Sequence, residues 1–273
     1  MKKVMFAAAI AAAGLAFGIE SANTVGYLSN ELAAGVTPSG VPFQTTTAGN
    51  IALNDIVPQI GGAMADDATF SLRYYDRTKN GYYILDWYKG LYDSEWNLTG
   101  TSGWGEGYQV KTECASKTFN PGEGFLIVPM DGLSGTPSIP VSGQLVATDN
   151  TKAKTEIIVP AGVSSVGNPL PAQVDLYDII PLIGDAIAED ATFSLRYYDR
   201  TKNGYYILDW YKGLYDSEWN LTGASGWGEG YQEKAECKDK VFAPGEGFLI
   251  APMDGLSGTT KLTFPNPMWD GTL

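Results

Sequence analysis

The chain has 273 residues, of which 44% are hydrophobic and 12% aromatic, so it can bury the core of one large domain or of two small ones. Its 33 glycines and 15 prolines favour turn-rich β-structure over a helical bundle, and 18% charged residues are too few for a disordered chain. The 31 Asp and Glu against 18 Lys and Arg give a net charge of −13, which repels phosphate backbones and argues against nucleic acid as a partner.

The N-terminus has the pattern of an export signal. Lys2 and Lys3 precede an alanine-rich apolar run from Val4 to Phe17, and small residues at Ala16 and Gly18 fit a cleavage site. A cut after Ala22 is the alternative. The run is shorter than the roughly 20 residues that span a bilayer. We therefore predict a signal peptide at residues 1–18, no transmembrane segment after its removal, and a secreted or cell-surface protein.

The dominant feature of the sequence is an internal repeat. The segment from Tyr74 to Asn97 returns unchanged 123 residues later, and the identity runs from Asp67 to Gly100. Upstream of residue 45 the matching residues of the two copies are 127 positions apart instead of 123, because the first copy carries four extra residues around Thr45 to Gly49. Residues related by these offsets are called equivalent below. We place the boundary near Pro140, which gives β-repeat domains at 19–140 and 141–273.

Within one copy, two alternating stretches predict a β-hairpin. The segment 68–76 and the segment 82–88 each alternate apolar and polar residues, and Asn80-Gly81 between them tolerates positive φ. A four-residue loop from Thr78 to Gly81 would set Leu72 opposite Trp87, and Arg73 opposite Asp86 on the other face. A loop of three or five residues would mix the apolar and polar faces.

Two shorter elements follow from local composition. Leu53 to Ile60 is consistent with one helical turn ended by Pro58. The apolar run Phe125 to Val128, bounded by Gly124 and Pro129, predicts a central strand buried on both faces. The fold class expected is mainly β, with two tandem small domains, each like a β-sandwich or an open barrel, formed by internal duplication.

Three short motifs carry a resemblance to known proteins. They are SANTVGY at Ser21 to Tyr27 after the export signal, an AG…VGNP element at Ala161 to Pro169, and PGEGF at Pro121 to Phe125 and Pro244 to Phe248. Together they resemble a loosely defined group of secreted bacterial β-repeat proteins of unknown activity. The resemblance implies extracellular placement and a structural or surface role, and it carries over no catalytic residue.

The residues that could support catalysis are few. The chain has no histidine, which removes imidazole-based triads, Cys-His pairs and the usual zinc sites. A pair of carboxylates remains possible for a glycosidase, either Asp93 with Glu95 or Glu106 with Glu123. Nothing marks these acids as buried or tuned, so we expect no enzyme, no metal site and no cofactor.

The candidate binding residues are aromatic. They lie in glycine-rich segments where rings could stack on sugars or anchor a protein interface. The predicted set is Trp96, Trp104 and Tyr108 with the equivalent Trp219, Trp227 and Tyr231. Core packing is the alternative for the tryptophans of these segments, whereas Trp87 is expected in the core.

Each copy contains one cysteine, Cys114 and Cys237, in a chain expected to enter an oxidising compartment. They could link separate chains, remain free thiols, or pair within the chain. Val110 is replaced by Glu233 in the second copy, on a strand face that the cysteines would share. We therefore expect that face to meet solvent, which would suit a link between chains.

A repeated surface suggests binding or assembly, because a second copy at fixed spacing adds avidity, whereas a second catalytic site in one chain adds little. The function expected first is that of a secreted structural or surface-assembly protein, a subunit of an envelope layer, fibre or matrix. Its partners would be other copies of itself or other envelope and surface proteins. A carbohydrate-binding protein that contacts glycans through its loop aromatics is the alternative, and a glycosidase is third.

Overall fold

The computed structural model describes residues 25–32, 35–44, 50–76, 79, 81–145, 154–170, 172–199, 202 and 204–265. The protein is mainly β, as predicted.

We call residues 25–145 the first half and 154–265 the second half. The strands of the first half are β1 Val25–Glu31, β2 Thr37–Gly40, β3 Phe43–Gln44, β4 Ile51–Ala52, β5 Gln59–Ile60, β6 Ala63–Met64, β7 Phe70–Asp76, β8 Gly81–Tyr88, β9 Gly103–Gly105, β10 Thr118–Phe119, β11 Gly124–Pro129 and β12 Pro137–Leu145. Those of the second half are β13 Lys154–Ile158, β14 Ser164–Gly167, β15 Val174–Asp175, β16 Ile180–Ile183, β17 Ala186–Ile187, β18 Phe193–Asp199, β19 Gly204–Tyr211, β20 Gly226–Gly228, β21 Val241–Phe242, β22 Gly247–Pro252 and β23 Thr260–Pro265.

The helices of the described residues are single 3₁₀ turns. They are Leu53–Asp55, Thr112–Cys114, Leu176–Asp178 and Ala235–Cys237. The first confirms the helical turn predicted before Pro58. Within the described ranges, no helix has the length and apolar character needed to cross a membrane.

Each half contains a five-stranded antiparallel sheet, which we call its main sheet. The order is β2-β11-β7-β8-β9 in the first half and β14-β22-β18-β19-β20 in the second, so the two orders correspond strand for strand. A second sheet in each half covers the main sheet, with the order β1-β12-β5-β6 in the first half and β13-β23-β16-β17 in the second. The short ladders β4-β10 and β15-β21 are separate two-stranded sheets that contribute Ile51 and Phe119 to the first core and Val174 and Phe242 to the second.

The core of each half lies on one face of its main sheet. Because side chains alternate along a strand, Leu72, Trp87 and Phe125 all point to this face and are fully buried. The equivalent residues form a separate core in the second half. The predicted central strand is confirmed at β11, which pairs with both β2 and β7. Its opposite face is only half-buried, however, so the expectation of burial on both faces was wrong.

The predicted hairpin is present, but its register differs by two residues. Asp76 pairs with Gly81 and Leu72 with Leu85, so Trp87 is not opposite Leu72 as predicted. The partner of Arg73 is Ile84 rather than Asp86. Four residues still lie between Asp76 and Gly81, the paired residues that flank the hairpin loop. A shift of two keeps every side chain on its own face, so the alternation of the sequence could not distinguish the two registers.

Each half begins and ends at neighbouring positions. In the first half Val25 of β1 pairs with Gln144 of β12, and in the second half Lys154 of β13 pairs with Pro265 of β23. The boundary predicted near Pro140 falls inside β12, which continues to Leu145. The split of the chain into domains at that residue stays a prediction.

Candidate functional site

The segment that joins β8 to β9 is held by its own main-chain hydrogen bonds. Leu91 N–H donates to Thr101 O at 2.9 Å, and Thr99 N–H returns to Leu91 O at 2.8 Å. Tyr92 N–H donates to Tyr108 O at 2.8 Å, which ties the segment to the turn after β9. The side chain of Leu91 is buried beneath it. The segment is therefore a rigid platform rather than a flexible turn.

A single carboxylate fixes the tip of this platform. Asp93 accepts hydrogen bonds from the N–H groups of Glu95 and Asn97, each at 2.9 Å, and from the Asn97 side-chain amide. Because these donors favour the ionised form, the hydrogen bonds to Asn97 above all hold the pKa of Asp93 below its usual value. The same arrangement recurs around Asp216 in the second half.

The tip presents Trp96 to solvent. Its side chain is 64% exposed, and its backbone lies in the left-handed region with φ of 61°, which is costly for a bulky residue. The ring lies 6.0 Å from that of Tyr92, and Leu98 beside it is 62% exposed. A strained backbone that displays a large apolar side chain points to a binding role.

Tyr108 lies on the neighbouring turn and extends this surface. Its φ is 66°, its ring packs at 4.4 Å on the buried ring of Tyr88, and it remains 44% exposed. The turn depends on Gly105, because a Cβ there would overlap the carbonyl oxygen of Gln109. We call Tyr92, Trp96, Leu98 and Tyr108 the aromatic patch.

The second half presents the same patch. Trp219 is 64% exposed with φ of 60°, and Tyr231 is 43% exposed with φ of 67°. The rings of Tyr215 and Tyr231 meet edge to face at 6.4 Å, and Leu221 completes the set. Four of the six predicted binding residues therefore lie in two matching surface patches. Leu98 and Leu221 were missed by the sequence analysis, because single leucines next to a turn carry no pattern of their own.

The other two predicted binding residues are in the core. Trp104 is 3% exposed and Trp227 is fully buried, and each ring donates its Nε1–H to a main-chain oxygen, Ile56 O at 2.7 Å and Ile179 O at 2.8 Å. Both lie on short strands, β9 and β20, rather than in flexible loops. The prediction that they bind a ligand at the surface is therefore wrong.

The cysteines are free and buried. Cys114 and Cys237 each end a 3₁₀ helix and turn into the core of their half. The helix interrupts the strand-like alternation, so the exposure of Val110 and Glu233 does not extend to them. The expected solvent-facing strand is a misreading, and neither a link between chains nor an intrachain bond fits these positions. Burial raises the pKa of both thiols.

Three of the four candidate carboxylates, those of Asp93, Glu106 and Glu123, have structural partners. Asp93 holds the platform, and Glu95 donates its N–H to that carboxylate. Glu106 forms an exposed ion pair with Lys111, and the Glu123 carboxylate pairs with Lys117 in a largely buried setting. In the described part of the chain, no group of three or more Cys, Asp or Glu side chains could hold a metal ion.

A polar cleft that the sequence did not reveal lies where the two halves meet. Its volume is about 260 Å³, and it is bounded by Ser39 of the first half and by Asp199, Lys240 and Glu246 of the second. Lys240 Nζ and Glu246 Oε1 are 2.6 Å apart. The ion pair satisfies both charges, so the cleft offers less to a ligand than the aromatic patches do.

Comparisons with known proteins place the chain in no group. No family model matches it, and no curated protein or solved structure shows a significant similarity.

Proposed function

We propose that this chain is a secreted structural or surface-assembly protein, a subunit of an envelope layer, fibre or matrix. One observation carries the proposal: the same aromatic patch is presented twice, on rigid platforms of one molecule. The export pattern at residues 1–18, which lie outside the described residues, supports placement outside the cell.

Exposure of these apolar side chains to water is unfavourable. Trp96 and Leu98 leave much of their apolar surface in water, although burial of such surface is favourable by about 25 cal/mol per Å². Tryptophan and tyrosine are also the residues most often dominant in protein interfaces. Contact with a partner would recover this free energy. Because the platform is already ordered, association would cost little further conformational entropy.

Two patches in one molecule allow chain growth. A subunit with a single patch would stop at a dimer, whereas two patches let each subunit contact two others. The net charge of −13 limits nonspecific association, so contacts would form where the apolar surfaces match. Other envelope or surface proteins that carry a complementary apolar surface would be partners of the same kind.

Sedimentation velocity and negative-stain imaging of the chain without residues 1–18 test this proposal. We expect oligomers, filaments or sheets that grow with concentration. Trp96→Ala combined with Trp219→Ala should reduce this association strongly, because truncation of a dominant interface tryptophan costs about 2 kcal/mol or more. A chain that stays monomeric at every concentration would refute assembly.

A matched control comes from another pair of exposed apolar residues. Ile84→Ala with Ile207→Ala removes side chains that are 54% and 52% exposed on β8 and β19 and that belong to neither patch. Association should survive that change. Equal loss in both double variants would show that general surface hydrophobicity, and not the patches, drives association.

Glycan binding is the second candidate, and the geometry of Trp96 favours it. An exposed indole beside the ring of Tyr92, with the polar groups of Asn97 adjacent, is a surface on which a sugar ring could stack. A glycan array probed with the unaltered chain would detect this activity. Glycan binding is favoured over assembly if the unaltered chain sediments as a monomer and binds a glycan, and if the variant with Trp96→Ala and Trp219→Ala loses that binding.

A further inference from the structure

The two halves of the molecule meet at the edge strands of their main sheets. We call this contact the junction, formed by residues 36–40 and 122–126 of the first half and by 163–167 and 245–249 of the second. At its centre a Cβ built on Gly40 would lie only 2.5 Å from the Cα of Gly167, and one on Gly167 would overlap Gly40 in turn. Only glycine fits at either position.

The hydrogen bonds of the junction come in equivalent pairs. Gly40 N–H donates to Gly245 O at 3.0 Å, and Gly167 N–H donates to Gly122 O at 3.2 Å. Gly167 is equivalent to Gly40, and Gly245 to Gly122, so the second bond is the first with the halves exchanged. Main-chain bonds of this kind extend a sheet edge across an interface.

Side chains follow the same exchange. Tyr82 Oη donates to Val163 O at 2.9 Å, and the equivalent Tyr205 Oη donates to Val36 O at 3.3 Å. Single antiparallel β-bridges join Ser39 to Glu246 and, equivalently, residue 166 to residue 123.

Close main-chain approaches are exchanged as well. A Cβ on Gly124 would lie 2.5 Å from the carbonyl carbon of Ser165, and one on Gly247 would lie 2.5 Å from that of Pro38. Gly124 and Gly247 belong to the two PGEGF motifs, and Ser165 and Pro38 to the two segments upstream. Each half therefore places its PGEGF motif against the upstream segment of the other half. This reciprocal contact is the relationship that defines a two-fold, self-complementary interface.

We propose that the junction surface is self-complementary and also joins like halves of separate copies of this chain. In a pair of first halves, Gly40 would face Gly40 of the second copy, and the N–H of each would meet residue 122 of the other. Every such contact has a counterpart already present within one chain. The inference rests on the proposed assembly function and adds to it a second contact surface and a partner, another copy of the chain.

Concentration decides which pairing forms. Only residues 146–153 separate the described ends of the halves. A linker this short gives each half an effective concentration of about millimolar for pairing with the other half of the same chain. In dilute solution the halves of one chain pair with each other. In a dense layer, neighbouring chains reach similar local concentrations, so like halves of different copies compete and the chains become connected.

Leu126 offers a direct test. Leu126 and its equivalent Leu249 line one small cavity of about 110 Å³ at the junction, so in a pair of first halves each Leu126 would approach its counterpart. The chain without residues 1–18, carrying Cys114→Ser, Cys237→Ser and Leu126→Cys, is treated with a short bis-maleimide over a concentration series that extends to about millimolar, where separate chains compete with the linked half. We expect covalent dimer that increases with concentration. Adding Leu249→Cys should give a cross-link within the monomer and shows that the reagent spans the junction.

Two matched controls separate pairing from collision. In the first control the single cysteine is placed at residue 84 by Ile84→Cys instead of at residue 126. Ile84 lies two strands from Leu126 in the same cross-strand row and is more exposed, yet this variant should give little dimer. Gly40→Ala added to the Leu126→Cys chain should abolish the dimer. Gly81→Ala should not, because its Cβ would meet nothing closer than 3.7 Å.

Each outcome decides the proposal. Dimer no greater than for Ile84→Cys, or dimer that persists with Gly40→Ala, overturns pairing of like halves. If the unaltered chain still oligomerises by sedimentation in that case, the proposed assembly function stands without this contact. If the unaltered chain never associates and no dimer forms, both proposals fail.

Discussion

Trp87 and Trp104 meet edge to face in the core of the first half, with ring centroids 5.4 Å apart, and Trp210 and Trp227 repeat the contact at 5.5 Å. Each ring is buried and also donates its Nε1–H to a main-chain oxygen, so each side chain is held by packing and by a hydrogen bond. The pair fixes β8 against β9, the two strands that the platform connects.

Truncation of either ring should therefore destabilise its half. We expect Trp87→Ala to lower the free energy of unfolding by about 3 to 5 kcal/mol, the usual loss for a large buried aromatic side chain. Trp96→Ala, which removes an exposed ring, should change stability by less than about 0.5 kcal/mol. Chemical denaturation followed by far-UV circular dichroism gives both values. Equal losses in the two variants would contradict the assignment of Trp87 to the core.

The ion pair of Lys117 with Glu123 should matter more than that of Lys111 with Glu106. The Lys117 and Glu123 side chains are only 9% and 14% exposed, and Lys117 Nζ also lies 4.6 Å from the centre of the Phe119 ring. Glu123→Gln leaves a largely buried charge unpaired and should cost about 3 kcal/mol. Glu106 is 64% exposed, so Glu106→Gln should cost at most about 1 kcal/mol. Thermal unfolding of the two variants compares them, and similar midpoints would contradict the burial of Lys117.

The order of the platform should depend on pH through Asp93 and Asp216. Their pKa values are lowered in the folded protein, so their contribution is present above the ordinary aspartate pKa of about 3.9 and is lost as the pH falls through the lower folded value. We expect the fluorescence of Trp96 and Trp219 to change in an acid transition below about pH 4. Asp93→Asn with Asp216→Asn should remove this transition, and its persistence would assign the change to other groups.

The buried thiols should be unreactive while the protein is folded. Burial raises the pKa of Cys114 and Cys237, and neither side chain reaches solvent. We expect no labelling by iodoacetamide in native buffer and two labelled cysteines per chain in denaturant, as counted by mass spectrometry. Non-reducing electrophoresis should show no cross-linked species. Rapid native labelling at either residue would contradict its placement in the core.

The sequence predicted features that depend on local alternation and failed where long-range contacts decide. The hairpin and the core position of Trp87 follow from side chains that alternate every second residue, whereas the central strand β11 was predicted from a short apolar run between Gly124 and Pro129. The exact register did not follow from alternation, because a shift of two residues preserves both faces. The helical turn at Leu53–Asp55 was predictable from Pro58 nearby.

The functional residues divide along the same line. Trp96 and Trp104 lie in similar glycine-rich segments, yet one is exposed and the other is buried against Ile56, 48 residues earlier. No local pattern could separate them. The two sequence motifs that bracket each copy were visible from the start, but their meeting at Gly40 and Gly167 depends on how two whole halves dock, which no short segment encodes.

The neighbouring ends of each half bear on how the protein would respond to stretching. In each half the ladder that joins the entering and leaving strands has its chain ends at the same side, Val25 beside Gln144 and Lys154 beside Pro265. Tension applied through those ends loads one pair of hydrogen bonds at a time rather than the whole ladder in shear. A half that is pulled through the adjoining chain would therefore extend at low force by unzipping this ladder from its end.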